Sequence, residues 1–257
     1  MITGIFDSHA HYDDERFSAD TDKTLERIHQ NGVQYVLNSA GDLESCLTSV
    51  ALAEKYDWIY AAVGVHPHDA ADVPAQYIKH LEDLALNCPK VRAIGEIGLD
   101  YFYDGAYKLT QQKVFGEQLE LAGRLGLPVI IHDREAHADT MECLCKYRPS
   151  GVVHCFSGSA EMARQVVKLG MYVGFTGVIT FKNSRRAAEA ARQVPLDRLL
   201  VETDCPYMAP EPYRGKRCDS SMLDKTIEAL AAIKGLSPQE LADITNENAR
   251  RLFHIEG

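Results

Sequence analysis

Ile5-Phe6-Asp7-Ser8-His9-Ala10-His11 opens as a short apolar run and closes on two imidazoles. A first strand leading into a nucleotide-binding turn would continue into closely spaced glycines, the mark of a doubly wound open sheet. Here metal-competent side chains stand in that place. Working outward from 5–9, seven further runs repeat the plan, at 33–39, 59–65, 93–97, 128–132, 151–155, 171–175 and 199–203. Each is brief, mostly apolar, and followed by polar or glycine-rich residues. This is the pattern of strands buried on both faces of a parallel sheet.

The intervening segments carry a helical rhythm. Leu43, Cys46, Leu47, Val50 and Ala51 recur at spacings of three and four, as do Met162, Ala163, Val166 and Val167. Ser159 is placed to cap the latter segment and Gly170 to end it. Ser237-Pro238-Gln239-Glu240 reads as a capping box with proline at the first helical position. Eight strand–helix units in 257 residues predict a single (β/α)8 TIM barrel, one domain over 1–257, in preference to an open sheet of fewer strands.

Bulk properties narrow the function. A chain with 46% hydrophobic and 25% charged residues is an ordinary globular protein. Its apolar stretches are too short to span a bilayer, and Met1–Asp7 lacks the basic and apolar regions of a secretory signal. Seven scattered cysteines without a CxxC pair suit reduced thiols, so a cytoplasmic protein is expected, and a monomer. The net charge of −10 argues against coating duplex DNA by broad phosphate neutralisation. It leaves room for a phosphate-bearing substrate, because bound cations invert the potential of a cleft.

The metal-competent residues fall at the carboxyl ends of different strands, the face on which barrel active sites are built. His9 and His11 are two apart in an extended chain, share a face, and can converge on one point. Asp7 lies on that face one step deeper and is placed to orient a ligand. Glu96 sits in the apolar, glycine-flanked run Ile94-Gly95-Glu96-Ile97-Gly98, where a carboxylate is costly unless a cation or metal meets it. An ion pair with Arg92 or Arg134 is the alternative. His132 and His154 each follow branched apolar residues, and Glu202 and Asp204 end the last strand. Convergence from five strand ends points to a metal site. His66 in Gly64-Val65-His66-Pro67-His68 is placed to contact substrate or water. Histidines 29, 80, 137 and 254 read as solvated surface.

At these residues the chain resembles the TatD family of metal-dependent deoxyribonucleases. The matching motifs are Asp7-Ser8-His9-Ala10-His11, Gly64-Val65-His66-Pro67, Ile94-Gly95-Glu96-Ile97-Gly98-Leu99-Asp100-Tyr101 and His132-Asp133-Arg134. They continue through His154-Cys155-Phe156-Ser157-Gly158, Glu202-Thr203-Asp204-Cys205-Pro206-Tyr207 and Asn248-Ala249-Arg250-Arg251-Leu252-Phe253. The resemblance implies two divalent ions, Mg, Mn or Zn. His9, His11 and Asp204 would hold one, His132 and His154 the other, and Glu96 would bridge both. Asp204 would serve as general base, with His66, Arg134 and Glu202 as supporting or phosphate-contacting residues. Arg214 and Lys216 in Arg214-Gly215-Lys216-Arg217 match a run common in the family and can meet a substrate phosphate, with a solvated basic loop as the alternative. The Asn-Glu-Pro type of run that commonly follows in the family is replaced here by Cys218-Asp219-Ser220.

The function implied is a 3′→5′ exonuclease on single-stranded DNA, or RNA. Tyr101, Phe102, Tyr103 and Tyr107 offer local stacking surface. A carboxylic ester or amide hydrolase, for example one removing a D-amino acid from tRNA, is the second reading, since loops set the chemistry of this scaffold. A metal-binding docking barrel without catalysis is the third, and a set of ligands at every expected strand end counts against it.

Overall fold

The computed structural model describes residues 1–102 and 107–256. Eight parallel strands stand side by side in chain order: β1 (Ile5–Ala10), β2 (Val33–Ser39), β3 (Ile59–Val63), β4 (Val91–Asp100), β5 (Val129–Arg134), β6 (Gly151–Val153), β7 (Tyr172–Phe175) and β8 (Leu199–Val201). The helices α1 (Thr21–Gln30), α2 (Leu43–Lys55), α3 (Tyr77–Asn87), α4 (Lys108–Leu125), α5 (His137–Tyr147), α6 (Ala160–Lys168), α7 (Arg185–Gln193) and α8 (Leu223–Lys234) follow the strands in turn. A further helix, α9 (Pro238–Leu252), ends the chain's regular structure. This is the (β/α)8 barrel, and the open-sheet alternative falls away.

The seam between the last strand and the first is closed at the carboxyl end. Ala10 bridges Cys205 in parallel. The Asp204 N–H donates to the His9 carbonyl at 3.0 Å, and the His11 N–H donates to the Cys205 carbonyl at 2.8 Å.

Period-two alternation explains the continuous aliphatic runs. Leu37, Ile130 and Leu200 join Phe6 and Val152 in a cluster inside the barrel. Their chain neighbours Val36, Ile131 and Leu199 belong to the larger cluster between strands and helices. Leu252, Phe253 and Ile255, at and beyond the end of α9, belong to the inner cluster and plug the barrel floor opposite the mouth.

The caps form as the sequence predicts. The Ser159 side chain accepts the Met162 N–H, and Gly170 follows α6 at φ +87°. Ser237 and Glu240 make the reciprocal capping box of α9, with Pro238 in its first turn. Strand limits differ where function begins. β8 ends at Val201 and β6 at Val153, each two residues short of the sequence reading, and the backbone then enters the left-handed region at Asp204 (φ +59°) and Cys155 (φ +41°). β4 instead runs longer, to Asp100. All seven cysteines are free thiols. Among the described residues no helix is long and apolar enough to cross a membrane.

Candidate metal centre

The ends of five strands bring His9, His11, Glu96, His132, His154 and Asp204 to one mouth. Glu96 stands at the centre, and its two oxygens divide the imidazoles between them. Oε2 lies 3.3 Å from His9 Nε2 and 3.6 Å from His11 Nε2. Oε1 lies 2.8 Å from His132 Nδ1, 2.7 Å from His154 Nε2 and 3.7 Å from His66 Nε2. Asp204 Oδ1 is 3.6 Å from His9 Nε2 and 3.4 Å from His11 Nε2. Three groupings have ligand atoms close enough for one ion: His9 with His11 and Asp204, His9 with Glu96 and His154, and His66 with Glu96 and His132. The alternative of a Glu96–arginine pair is not realised, since Arg92 lies over the ring of Tyr60 and Arg134 over that of Phe102.

The nitrogen that each ring turns away from the centre sets which nitrogen faces it. His11 Nδ1 is 2.7 Å from the Ser39 carbonyl, which can only accept, so Nδ1 carries a hydrogen and Nε2 is the nitrogen left to hold either a proton or a metal ion. His132 Nε2 donates to Asp100 Oδ2 at 3.1 Å, leaving Nδ1 towards Glu96. The Ser39 hydroxyl meets His9 Nδ1 at 3.2 Å, and the Glu202 carboxylate lies 3.7 Å from His154 Nδ1. His66 is the exception. Its Nδ1 accepts the His68 N–H at 3.2 Å, so in the neutral ring the hydrogen sits on Nε2 and points inward.

Charge and burial tune these groups in opposite directions. Burial, reinforced by nearby His154, lowers His9 to about 4, and burial beside His132 holds His66 well below the usual imidazole range. For His132, burial is outweighed by the Asp100 and Glu96 carboxylates, which raise it to about 9. For His11, burial is likewise outweighed by Asp204 and Glu96, and it rises to about 10. Burial of Glu96 is overcome by its ring of histidines, which hold it well below the carboxylate range. An imidazole nitrogen and a carboxylate oxygen 2.8 Å apart repel unless positive charge lies between them, and a divalent ion can take the proton's place. With one nitrogen of each of four rings facing inward against two carboxylates, the donor set fits such ions.

Glu202 is fully buried, out of reach of substrate. It accepts the Cys155 N–H and the Ser8 hydroxyl, and burial raises it to about 7. Gly174 makes its space, because a methyl there would collide with the carboxylate. Asp7 does not orient an imidazole. It accepts Thr203 N–H and Oγ1 and the Ser220 hydroxyl, touches His9 only through its backbone N–H, and burial raises it to about 6. Arg214 and Lys216 are exposed in the loop after β8, and among the described residues neither has a carboxylate within ion-pair distance. The Arg214 guanidinium lies 4.4 Å from the centre of the Phe181 ring. Arg217 is tied to Asp20. The divergent Cys218-Asp219-Ser220 is buried structure, with Asp219 paired to Arg27 at 2.7 Å and Ser220 holding Asp7. Tyr101 is packed through its hydroxyl on Asp139, Phe102 and Tyr107 are exposed, and Tyr103 lies outside the described residues. Histidines 29, 80 and 254 are exposed as expected, but His137 is half-buried and tied to Asp133 at 2.8 Å. Sequence reasoning missed Ser39, Asp100 and Ser220, whose partners are distant in the chain.

A profile of the family described as TatD related DNase matches residues 6–254. The chain is 40% identical to an uncharacterized metal-dependent hydrolase of Bacillus subtilis, YabD, over 98% of this chain and 99% of that one. It is 38% identical to the uncharacterized metal-dependent hydrolase TatD of Mycobacterium tuberculosis, covering 98% of each. The crystal structure of YjjV, a TatD homologue from Escherichia coli, superposes with a TM-score of 0.93 at 33% identity, covering 100% of both chains. Fold, motifs and relatives agree: the chain belongs to the TatD family and is a metal-dependent hydrolase.

Proposed function

We propose that the mouth holds two divalent ions, Mg, Mn or Zn, and that the enzyme cleaves phosphodiester bonds of single-stranded nucleic acid, DNA or RNA, from the 3′ end. The observation that carries this reading is the division of Glu96, one oxygen towards His9 and His11 and the other towards His132 and His154. A carboxylate so placed suits a bridge between two cations. His9, His11 and Asp204 would hold one ion, and His132 and His154 the other. Such ions supply Lewis acidity and bring the pKa of water in the site towards neutrality.

The chain's own residues do the rest. Asp204, slightly open to solvent at the mouth, takes the proton of the attacking water as the water oxygen bonds to phosphorus and the P–O3′ bond breaks, the departing 3′-oxygen gaining a proton from solvent. His66, with its hydrogen on Nε2, donates to a non-bridging phosphate oxygen and is a substrate contact, not an ion ligand. Arg134, Arg214 and Lys216 supply positive charge near the mouth of a chain whose net charge is −10, which favours a phosphate-bearing substrate over a neutral ester.

The test is release of mononucleotides from 3′-labelled single-stranded DNA and RNA with Mg, Mn or Zn. EDTA should stop it, and Glu96→Ala should reduce it on the order of 10³-fold or more. Undiminished cleavage by Glu96→Ala would overturn the assignment of Glu96. Inert nucleic acid beside rapid deacylation of aminoacyl-tRNA would replace the phosphodiester by a carboxylic ester.

A further inference from the structure

Two loops that leave the metal centre meet at its rim. The turn after β1 carries Asp14, whose N–H donates to the His11 carbonyl at 3.2 Å, and then Arg16. The loop after β8 carries Tyr207, whose N–H donates to the Asp204 carbonyl at 2.9 Å. Each half of the contact is therefore positioned by the backbone of a residue in the centre itself.

The Arg16 guanidinium lies over the Tyr207 ring, 4.0 Å from its centroid. It is held there by Asp14 through Nε at 2.8 Å and Nη2 at 2.7 Å. The Tyr207 hydroxyl reaches the same carboxylate at 3.4 Å. Arg16 is thus paired with Asp14 and serves as a flat backing to the ring more than as a phosphate clamp. Tyr207 is 48% exposed although one face of its ring is covered. A large aromatic side chain left exposed beside a catalytic centre, and stiffened from behind, is the form of a stacking surface for a planar ligand.

We propose that Tyr207, backed by Arg16 and Asp14, is a stacking platform for a nucleobase of the strand whose phosphodiester occupies the metal centre. This rests on the phosphodiester reading above. Stacking on an aromatic ring accepts any base, so the platform confers preference for unpaired nucleotides without choosing sequence. A base within a duplex would first have to leave its own stack, which disfavours double-stranded substrate.

The experiment compares wild type, Tyr207→Ala and Tyr207→Phe on a single-stranded oligonucleotide and on one made abasic at its last two 3′ positions, with Mn present. The expected result is a rise in KM of roughly 10- to 30-fold for Tyr207→Ala on the normal strand, with a smaller change in kcat. Wild type should prefer the normal strand to the abasic one by a similar factor, Tyr207→Ala should lose that preference, and Tyr207→Phe should restore it. Equal preference in wild type and Tyr207→Ala overturns the proposal, as does a Tyr207→Phe protein as impaired as Tyr207→Ala, which would assign the role to the hydroxyl and Asp14. A wild type inert towards both strands would sink the phosphodiester reading and the platform with it, whereas an active wild type with an unchanged KM in Tyr207→Ala sinks the platform alone. Circular dichroism and thermal melting of each variant separate loss of fold from loss of binding.

Discussion

Asp100 shows how much of the centre is set by residues that never reach its middle. Its Oδ2 receives His132 Nε2 at 3.1 Å and lies 3.1 Å from His68 Nε2. Its backbone is pinned at both ends by Gln111, which accepts the Asp100 N–H and donates to the Asp100 carbonyl, each at 2.9 Å. Asp100→Asn keeps the shape but removes the negative charge that fixes the His132 tautomer. Affinity for Mn should fall about 10- to 100-fold, read by titrating metal-free protein with the ion. An unchanged affinity would show that His132 is oriented by packing alone. The ligand candidates themselves were legible because a strand end has a known direction and a known face. Asp100, Ser39 and Ser220 were not, because their roles depend on partners brought close only by the fold. Ser220 and Asp7, for example, lie 213 residues apart.

At the scale of elements, all eight strands were readable, since aliphatic runs of this length have few other uses in an alternating chain. Their ends were less so. β8 stops at Val201, and the backbone enters the left-handed region at Asp204, a conformation at the site that propensity does not encode. The role of α9 was also hidden. Asn248 donates to the Leu196 and Leu199 carbonyls at 2.7 and 2.9 Å, Asn246 donates to the Gly4 carbonyl at 2.6 Å, and the helix so clamps the strand starts on both sides of the seam. Its end drives Phe253 into the barrel floor against Phe6, with ring centres 6.1 Å apart. Phe253→Ala should therefore cost about 3–5 kcal/mol in denaturant unfolding, because the rigid strands cannot collapse into the space. Metal affinity at the opposite mouth should change little. A cost below about 1 kcal/mol would mean that the plug is loosely packed.

For the whole molecule, the candidate ligands come from β1, β4, β5 and the segments that follow β1, β6 and β8, so an ion there ties together parts of the barrel as far apart in the sheet as β1 and β5. Binding to the folded state alone at a hundred times the dissociation constant stabilises by about 2.7 kcal/mol. For a chain of this size that is a rise in melting temperature of roughly 5–10 °C. Differential scanning should show this rise when Mn replaces EDTA, and Glu96→Ala should flatten it whatever the substrate proves to be. An equal shift in wild type and Glu96→Ala would place the stabilising ion elsewhere on this acidic surface.

The closed seam also imposes an order on the making of the protein. Asp7 and Thr203, whose bond helps to join the two edges of the barrel, are 196 residues apart. At about 5–20 residues per second, a ribosome delivers the second roughly 10–40 s after the first. Throughout that interval His9 and His11 are present without Asp204, and the last edge has no partner. Commitment to a particular ion therefore waits for Asp204 and the strands before it, when the geometry that discriminates among ions first exists.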